Sequence, residues 1–258
     1  MDELKEYGLA SYIDIFILGV QGVMKKINSF HNWLEENADT ISAYINVFVD
    51  FGIWFLAVEK LKNNQIIFTD DLTFELSNQI YKSEDVETFI KNYYFDNDNK
   101  NYNSLVERCS KISFVKSYDG FFSEIISACE RGHYHLACAG LFSMLDGVLA
   151  VASNMIDVTE FKKRIDAILN KIASKIELSD LDKRLVCIFL SMQSFDKSIF
   201  SNSNFKGKEP DQLNRHWVIH GRSHRVYDKY DVVKELLWLE AIDIIIESGE
   251  RLNHCEME

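Results

Sequence analysis

Within LNRHWVIHGRSHRVYDKY, residues 213–230, six cationic or titratable side chains fall in eleven positions: Arg215, His216, His220, Arg222, His224 and Arg225. Side chains gathered that tightly repel one another when protonated, so the cluster weakens a fold unless it has a partner or a task. The residue types define the task they would suit. Imidazole titrates near neutral pH and can both take and give a proton. Guanidinium presents a planar fork of donors that can hold two phosphoryl oxygens at once. Together they could cleave a phosphodiester, the imidazole moving a proton and the guanidinium stabilising the charge that develops on the phosphoryl oxygens. Arg215 and His220, spaced as Arg-x4-His, are the candidate catalytic pair. Such a spacing is common in a chain with seven histidines, so its surroundings carry the argument.

The local charge agrees with a phosphate ligand. Residues 201–230 hold Lys206, Lys208, Arg215, Arg222, Arg225 and Lys229 against Glu209, Asp211 and Asp228, a net of +3; the whole chain is −12, so the remainder is −15. A basic window in an acidic body concentrates a polyanion in one place while the rest repels it. Arg222, Arg225, Lys206 and Lys208 are therefore expected to contact phosphates. Two other readings compete. Arg215 and His220 could simply pair with carboxylates such as Asp211 and Asp228. His216, His220 and His224, at i, i+4 and i+8, could present three imidazoles to zinc, although Gly221 and the turn-like RSHR are expected to end the helix before His224.

The elements that must position these residues read as helical. At 258 residues, with 47% apolar and 26% charged side chains, the chain is globular and long enough for two domains. One proline and eleven glycines leave few breakers, so the expected fold class is all-α. Residues 1–115 read as helices separated by KNNQ at 62–65 and DNDNKNYN at 96–103. The second break mimics a calcium loop through Asp96, Asp98 and Glu107, but Lys100 stands at the fifth ligand position and Asn101 replaces the turn glycine. A solvated loop is expected instead. Residues 118–255 read as a bundle of four or five helices. Two of them flank Arg131–Gly132, and the second carries a stripe of small residues, Gly140, Ser143, Gly147 and Ala150, that would admit another helix closely. Asp146 beside that stripe needs a cation, since an unpaired buried carboxylate is costly.

Asp157 and Glu160 resemble a capping box ahead of an amphipathic helix. Its apolar face is Phe161, Ile165, Ile168, Leu169, Ile172 and Ile176, and its polar face Lys162, Lys163, Arg164, Lys171 and Lys175, read as solvated. A helix is expected from about Leu181 to Ile199, and Pro210 is placed to open a helical turn. DVVKELLWLEAIDIIIES is apolar nearly all round and should be buried. Tyr134, Trp217 and Trp238 read as core. Five scattered cysteines without a CxxC pair suggest a reducing compartment. With an acidic N-terminal stretch, this gives an expected cytoplasmic location without membrane association. The apolar stretch 41–58 carries Asn46 and Asp50 and is read as a buried helix.

Asn214-Arg215-His216 with His220-Gly221, preceded by a helical hairpin around residues 134–150 that bears Asp146, resembles the HEPN superfamily over about 118–250. The resemblance implies a helical bundle with metal-independent endoribonuclease activity through the RNA 2′-hydroxyl. No cofactor is implied, and the expected roles are those of a toxin or abortive-infection effector. It further implies a homodimer in which two motifs face one cleft, RNA as substrate, and an antitoxin or regulatory partner. Asp146 would orient Arg215, while Asn214 and His216 would add hydrogen bonds. Family members without activity serve as interaction modules, so a non-catalytic adaptor for a protein or nucleotide is the alternative. The resemblance does not extend to residues 1–115.

Overall fold

With few positions that force the chain out of a helix, helix is what forms. The computed structural model describes residues 52–69, 71–158, 160–173, 185, 187–188, 190–192, 198–201 and 205–255. Among these residues there are helices and connecting loops and no strand, the all-α class expected from composition. The chain divides into two compact units, Met1–Gly52 and Ile53–Glu258. Residues 53–115 belong to the same compact unit as the motif. Most of the apolar stretch 41–58 lies outside the described residues; Ala57 and Val58 at its end are fully buried.

The described helices are α1 (52–63), α2 (Phe74–Lys82), α3 (Val86–Lys111), α4 (Ser113–Lys116), α5 (Asp119–Glu130), α6 (Tyr134–Ser153), α7 (Phe161–Ala173), α8 (Arg215–Ile219) and α9 (Lys229–Cys255). α3 is two helical pieces around a break. Asn97, Asp98 and Asn99 take left-handed conformations with φ of 53–59°, which short polar side chains tolerate best, so DNDNKNYN does interrupt the helix. Glu107 there pairs with Lys111 on the following turn, away from any shared ligand sphere.

The centre of the unit is the packed pair α6 and α9. α9 packs on α6 and α3, and α6 also receives α5, α7 and α8. As its sequence predicts, α9 is buried almost all round, from Tyr230 through Ile242. The small-residue stripe on α6 works as expected at Gly140, where an added Cβ would stand 2.6 Å from Ile125 Cγ1 of α5, whereas Gly147 faces open space. α6 is also long and apolar enough to cross a membrane, though 44% of its most apolar stretch is buried in the bundle.

Five details differ from the sequence reading. α7 starts at Phe161, and Glu160 contributes the first accepting carbonyl (to Arg164 N, 3.3 Å), so Asp157 does not cap it. Phe161, Ile165 and Ile168 are buried as expected, but Arg164 is buried with them. Ile199 lies in a turn rather than at a helix end, and Tyr134 is only half-buried. Pro210 opens no helix; α8 begins five residues later, capped by Asn214.

Candidate functional site

α8 is only five residues long and is held at both ends by its own sequence. At its start Asn214 is buried, and its Oδ1 accepts the Trp217 N–H at 3.3 Å. The Asn214 amide donates to Ser198 O (2.9 Å), Ser201 Oγ (3.1 Å) and Ser201 O (3.3 Å), and Arg215 N donates to Ile199 O at 2.8 Å. Gln65, buried in the turn after α1, donates to Leu213 O at 2.9 Å and fastens the approach. At the other end Gly221 takes φ +62°, and paired bonds from Gly221 N to Val218 O and Arg222 N to Trp217 O (both 3.0 Å) close a Schellman cap. Asn214 is thus the residue that sets where Arg215 begins its helix.

Arg215 points at α6 and α7. Its Nη2 donates to Asp146 Oδ1 at 2.9 Å, and its Cζ stands 5.5 Å from the Phe161 ring centre. Its Nε is buried without a hydrogen-bond partner among the described residues. The same Asp146 oxygen receives Arg164 Nη1 at 3.1 Å, and Arg164, only 3% exposed, also donates to the carbonyls of Asp146, Met155 and Ile156. Asp146 has therefore found the cation its sequence position required, and a second one besides. Two guanidiniums on one carboxylate leave a local surplus of one positive charge. Burial pulls the Arg215 pKa down, Asp146 opposes this and Arg164 adds to it, while the group stays a cation.

His220, at the end of α8, is exposed. Its ring lies 4.6 Å from that of His216, in edge contact, and 5.6 Å from Phe205. Phe205 stacks on His216 at 4.5 Å, meets the edge of Trp217, and carries the Arg222 guanidinium over its ring at 4.4 Å. Burial, together with the neighbouring His220, Arg215 and Arg222, holds the His216 imidazole below the ordinary histidine range, which favours the neutral base at pH 7. The arrangement offers adjacent imidazoles for proton transfer beside a half-shielded guanidinium. Within one chain, however, Arg215 and His220 serve different neighbours.

The other expected phosphate ligands divide. Arg222 is exposed and has no carboxylate partner among the described residues. Lys208 pairs with Asp211 at 2.9 Å, and Lys206 is exposed. Arg225 is committed elsewhere: its Nη2 binds both oxygens of buried Asp231, at 2.8 and 3.0 Å, with Lys234 3.5 Å from the same carboxylate. Asp228 pairs with Lys91, so neither Asp211 nor Asp228 takes up Arg215 or His220. His224 lies beyond the end of α8, its N–H bonded to Glu209 Oε2 at 2.8 Å, which leaves the three-imidazole arrangement without its third ring. Among the described residues no three metal-ligating side chains converge. Sequence reasoning missed Arg164, although it falls three residues after Phe161 and four before Ile168, on the apolar stripe. It also missed Phe205, a lone aromatic in a polar segment.

The fold and site define an all-α protein with an arginine–histidine cluster on one short capped helix. No protein-family model matches the chain, and no curated protein or solved structure matches it either.

Proposed function

We propose that this chain is a metal-independent endoribonuclease of HEPN type, a toxin or phage-defence effector that cleaves RNA by attack of its own 2′-hydroxyl. Arg215 binds the scissile phosphate and stabilises its developing charge, and His220 transfers the proton. His216, shifted towards its neutral form beside His220, is placed to share that transfer. Asp146 fixes the direction of Arg215, and Asn214 fixes the start of the helix that carries it. The single observation that carries the reading is the sharing of one carboxylate: Asp146 must serve Arg164 as well as Arg215, so Arg215 keeps positive charge for an anion.

Because Arg215 and His220 diverge within one chain, the reading places a working centre between two copies, with RNA in the shared cleft and an antitoxin or regulatory partner controlling it. The same divergence favours a second reading, a non-catalytic adaptor in which Arg215 is only a structural ion pair. Incubating the purified chain with total RNA in EDTA, followed by end-group analysis, separates the two. The nuclease leaves 2′,3′-cyclic phosphate ends and is toxic on expression, and His220→Ala is silent in both assays. Intact RNA together with equal growth of wild type and His220→Ala overturns the nuclease reading.

A further inference from the structure

The cations of the motif are not equivalent, and one of them has an unusual seat. Arg225 is held by Asp231, Lys208 by Asp211, Lys229 by Glu130 and Arg215 by Asp146. Arg222 has no carboxylate among the described residues; its guanidinium rests instead over the Phe205 ring, 4.4 Å from its centre, while the residue is exposed. Phe205 is itself braced by His216, stacked at 4.5 Å with 18° between planes, and by the edges of Trp217 and His220. Attraction to phosphate alone needs only an exposed charge, whereas this one is seated over a braced aromatic ring. A planar guanidinium held that way with its residue open to solvent is the form in which arginine stacks on an unpaired base.

The geometry points to Arg222 and Phe205 as a stacking platform for an unpaired nucleobase, next to the His220 imidazole. This rests on the ribonuclease reading for its ligand and goes beyond it in naming the substrate form: the nucleotide flanking the scissile phosphate is single-stranded, and its base is read by its flat face. Base-paired RNA, whose bases are stacked on one another, cannot use the platform.

Binding of non-cleavable probes tests it on the full chain. A short fluorescent single-stranded 2′-O-methyl RNA is compared with an abasic oligonucleotide of equal length and phosphate count. Wild type binds the base-bearing probe roughly five- to 150-fold more tightly, the range expected for one stacked base. Arg222→Gln and Phe205→Leu each shrink that ratio towards one, and so does Arg222→Lys, which keeps the charge and loses the plane. Arg215→Ala weakens both probes and leaves the ratio. Equal wild-type affinity for the two probes, or an Arg222→Lys chain with the wild-type ratio, overturns the platform while an Arg215-dependent affinity leaves the phosphate site standing. A retained ratio with no effect of Arg215→Ala upholds the platform and overturns the phosphate role of Arg215, and a chain that binds neither probe overturns both.

Discussion

Asp146→Asn removes the one carboxylate that holds two guanidiniums, and the size of the effect follows from the geometry. Arg215 Nη2 and Arg164 Nη1 lie 2.9 and 3.1 Å from the same oxygen, so these nitrogens are no more than 6.0 Å apart. Two unit charges at that separation repel by about 3 kcal/mol at an effective dielectric of about 20. In the native chain Asp146 offsets this. Its side chain is 35% exposed and that of Arg215 19%, so solvent screens part of the interaction and the expected loss of stability on Asp146→Asn is about 1–2 kcal/mol. A double-mutant cycle should divide it unequally. Coupling of Asp146 to Arg164, which is 3% exposed, should reach about 1.5–2 kcal/mol, and coupling to Arg215 only about 0.5–1 kcal/mol. Urea unfolding followed by tryptophan fluorescence gives both couplings for Arg164→Met and Arg215→Gln. In high salt the Arg215 coupling falls further than the Arg164 coupling, because only the former is open to screening. A loss below about 0.5 kcal/mol for Asp146→Asn, or equal couplings, refutes the claim that the shared carboxylate is what leaves Arg215 half-neutralised.

Two further predictions concern the core. Burial holds the fully buried Glu235 carboxyl well above its ordinary value; the facing Cys138 thiol lowers it, and Asp231 raises it further. The unfolded chain ionises it above about pH 4.3 and the fold only at a higher value, so its contribution is complete below about pH 4.3 and is lost as pH rises towards the folded value, at up to about 1.4 kcal/mol per unit. Glu235→Gln should flatten the pH dependence of stability above about pH 4.3, and superimposable profiles for the two chains refute the assignment. Gly140→Ala should lower the melting temperature through overpacking against Ile125 worth about 1–3 kcal/mol. Gly147→Ala, with nothing within 4 Å of its new methyl, should raise it through helix propensity worth about 0.5–1 kcal/mol, and shifts of the same sign contradict this account of the stripe.

What was legible in the sequence is what depends on neighbours along the chain. Helical class follows from the scarcity of breakers, the interruption at 96–103 from residues that tolerate left-handed backbone, the end of α8 from Gly221, and the burial of α9 from its all-round apolar pattern. Asp146 could be said to need a cation, because burial cost is a property of the group itself. Which cation answers depends on where distant helices pass, and so Arg164 was placed in solvent with the lysines beside it. A basic residue on the edge of an apolar stripe is ambiguous in sequence, since its stem packs either way and only the partner decides. Asp231 and Arg225 show the same limit: their six-residue spacing crosses the end of a loop, outside the helical intervals at which pairing can be read off directly.

Why so acidic a chain gathers cations at 213–230 can now be argued charge by charge. Asp231 holds Arg225, Asp211 holds Lys208, Glu130 holds Lys229, and Glu209 accepts the Ser223 hydroxyl and the His224 N–H, so several of the window's charges are spent on the fold. The Arg225–Asp231 pair and the bonds of Glu209 to Ser223 and His224 fasten the loop between α8 and α9. What remains are the His216 and His220 rings and the Arg222 guanidinium on Phe205, which have no acid partner among the described residues, and Arg215, which shares Asp146 with Arg164. A net of +3 spread over thirty residues would coat any polyanion; the same charge mostly neutralised in place leaves one small spot of positive potential in an acidic surround. A spot of that size suits one phosphate and its adjoining base rather than a long backbone track, which is the property a cleaving site needs and a general RNA-coating surface does not.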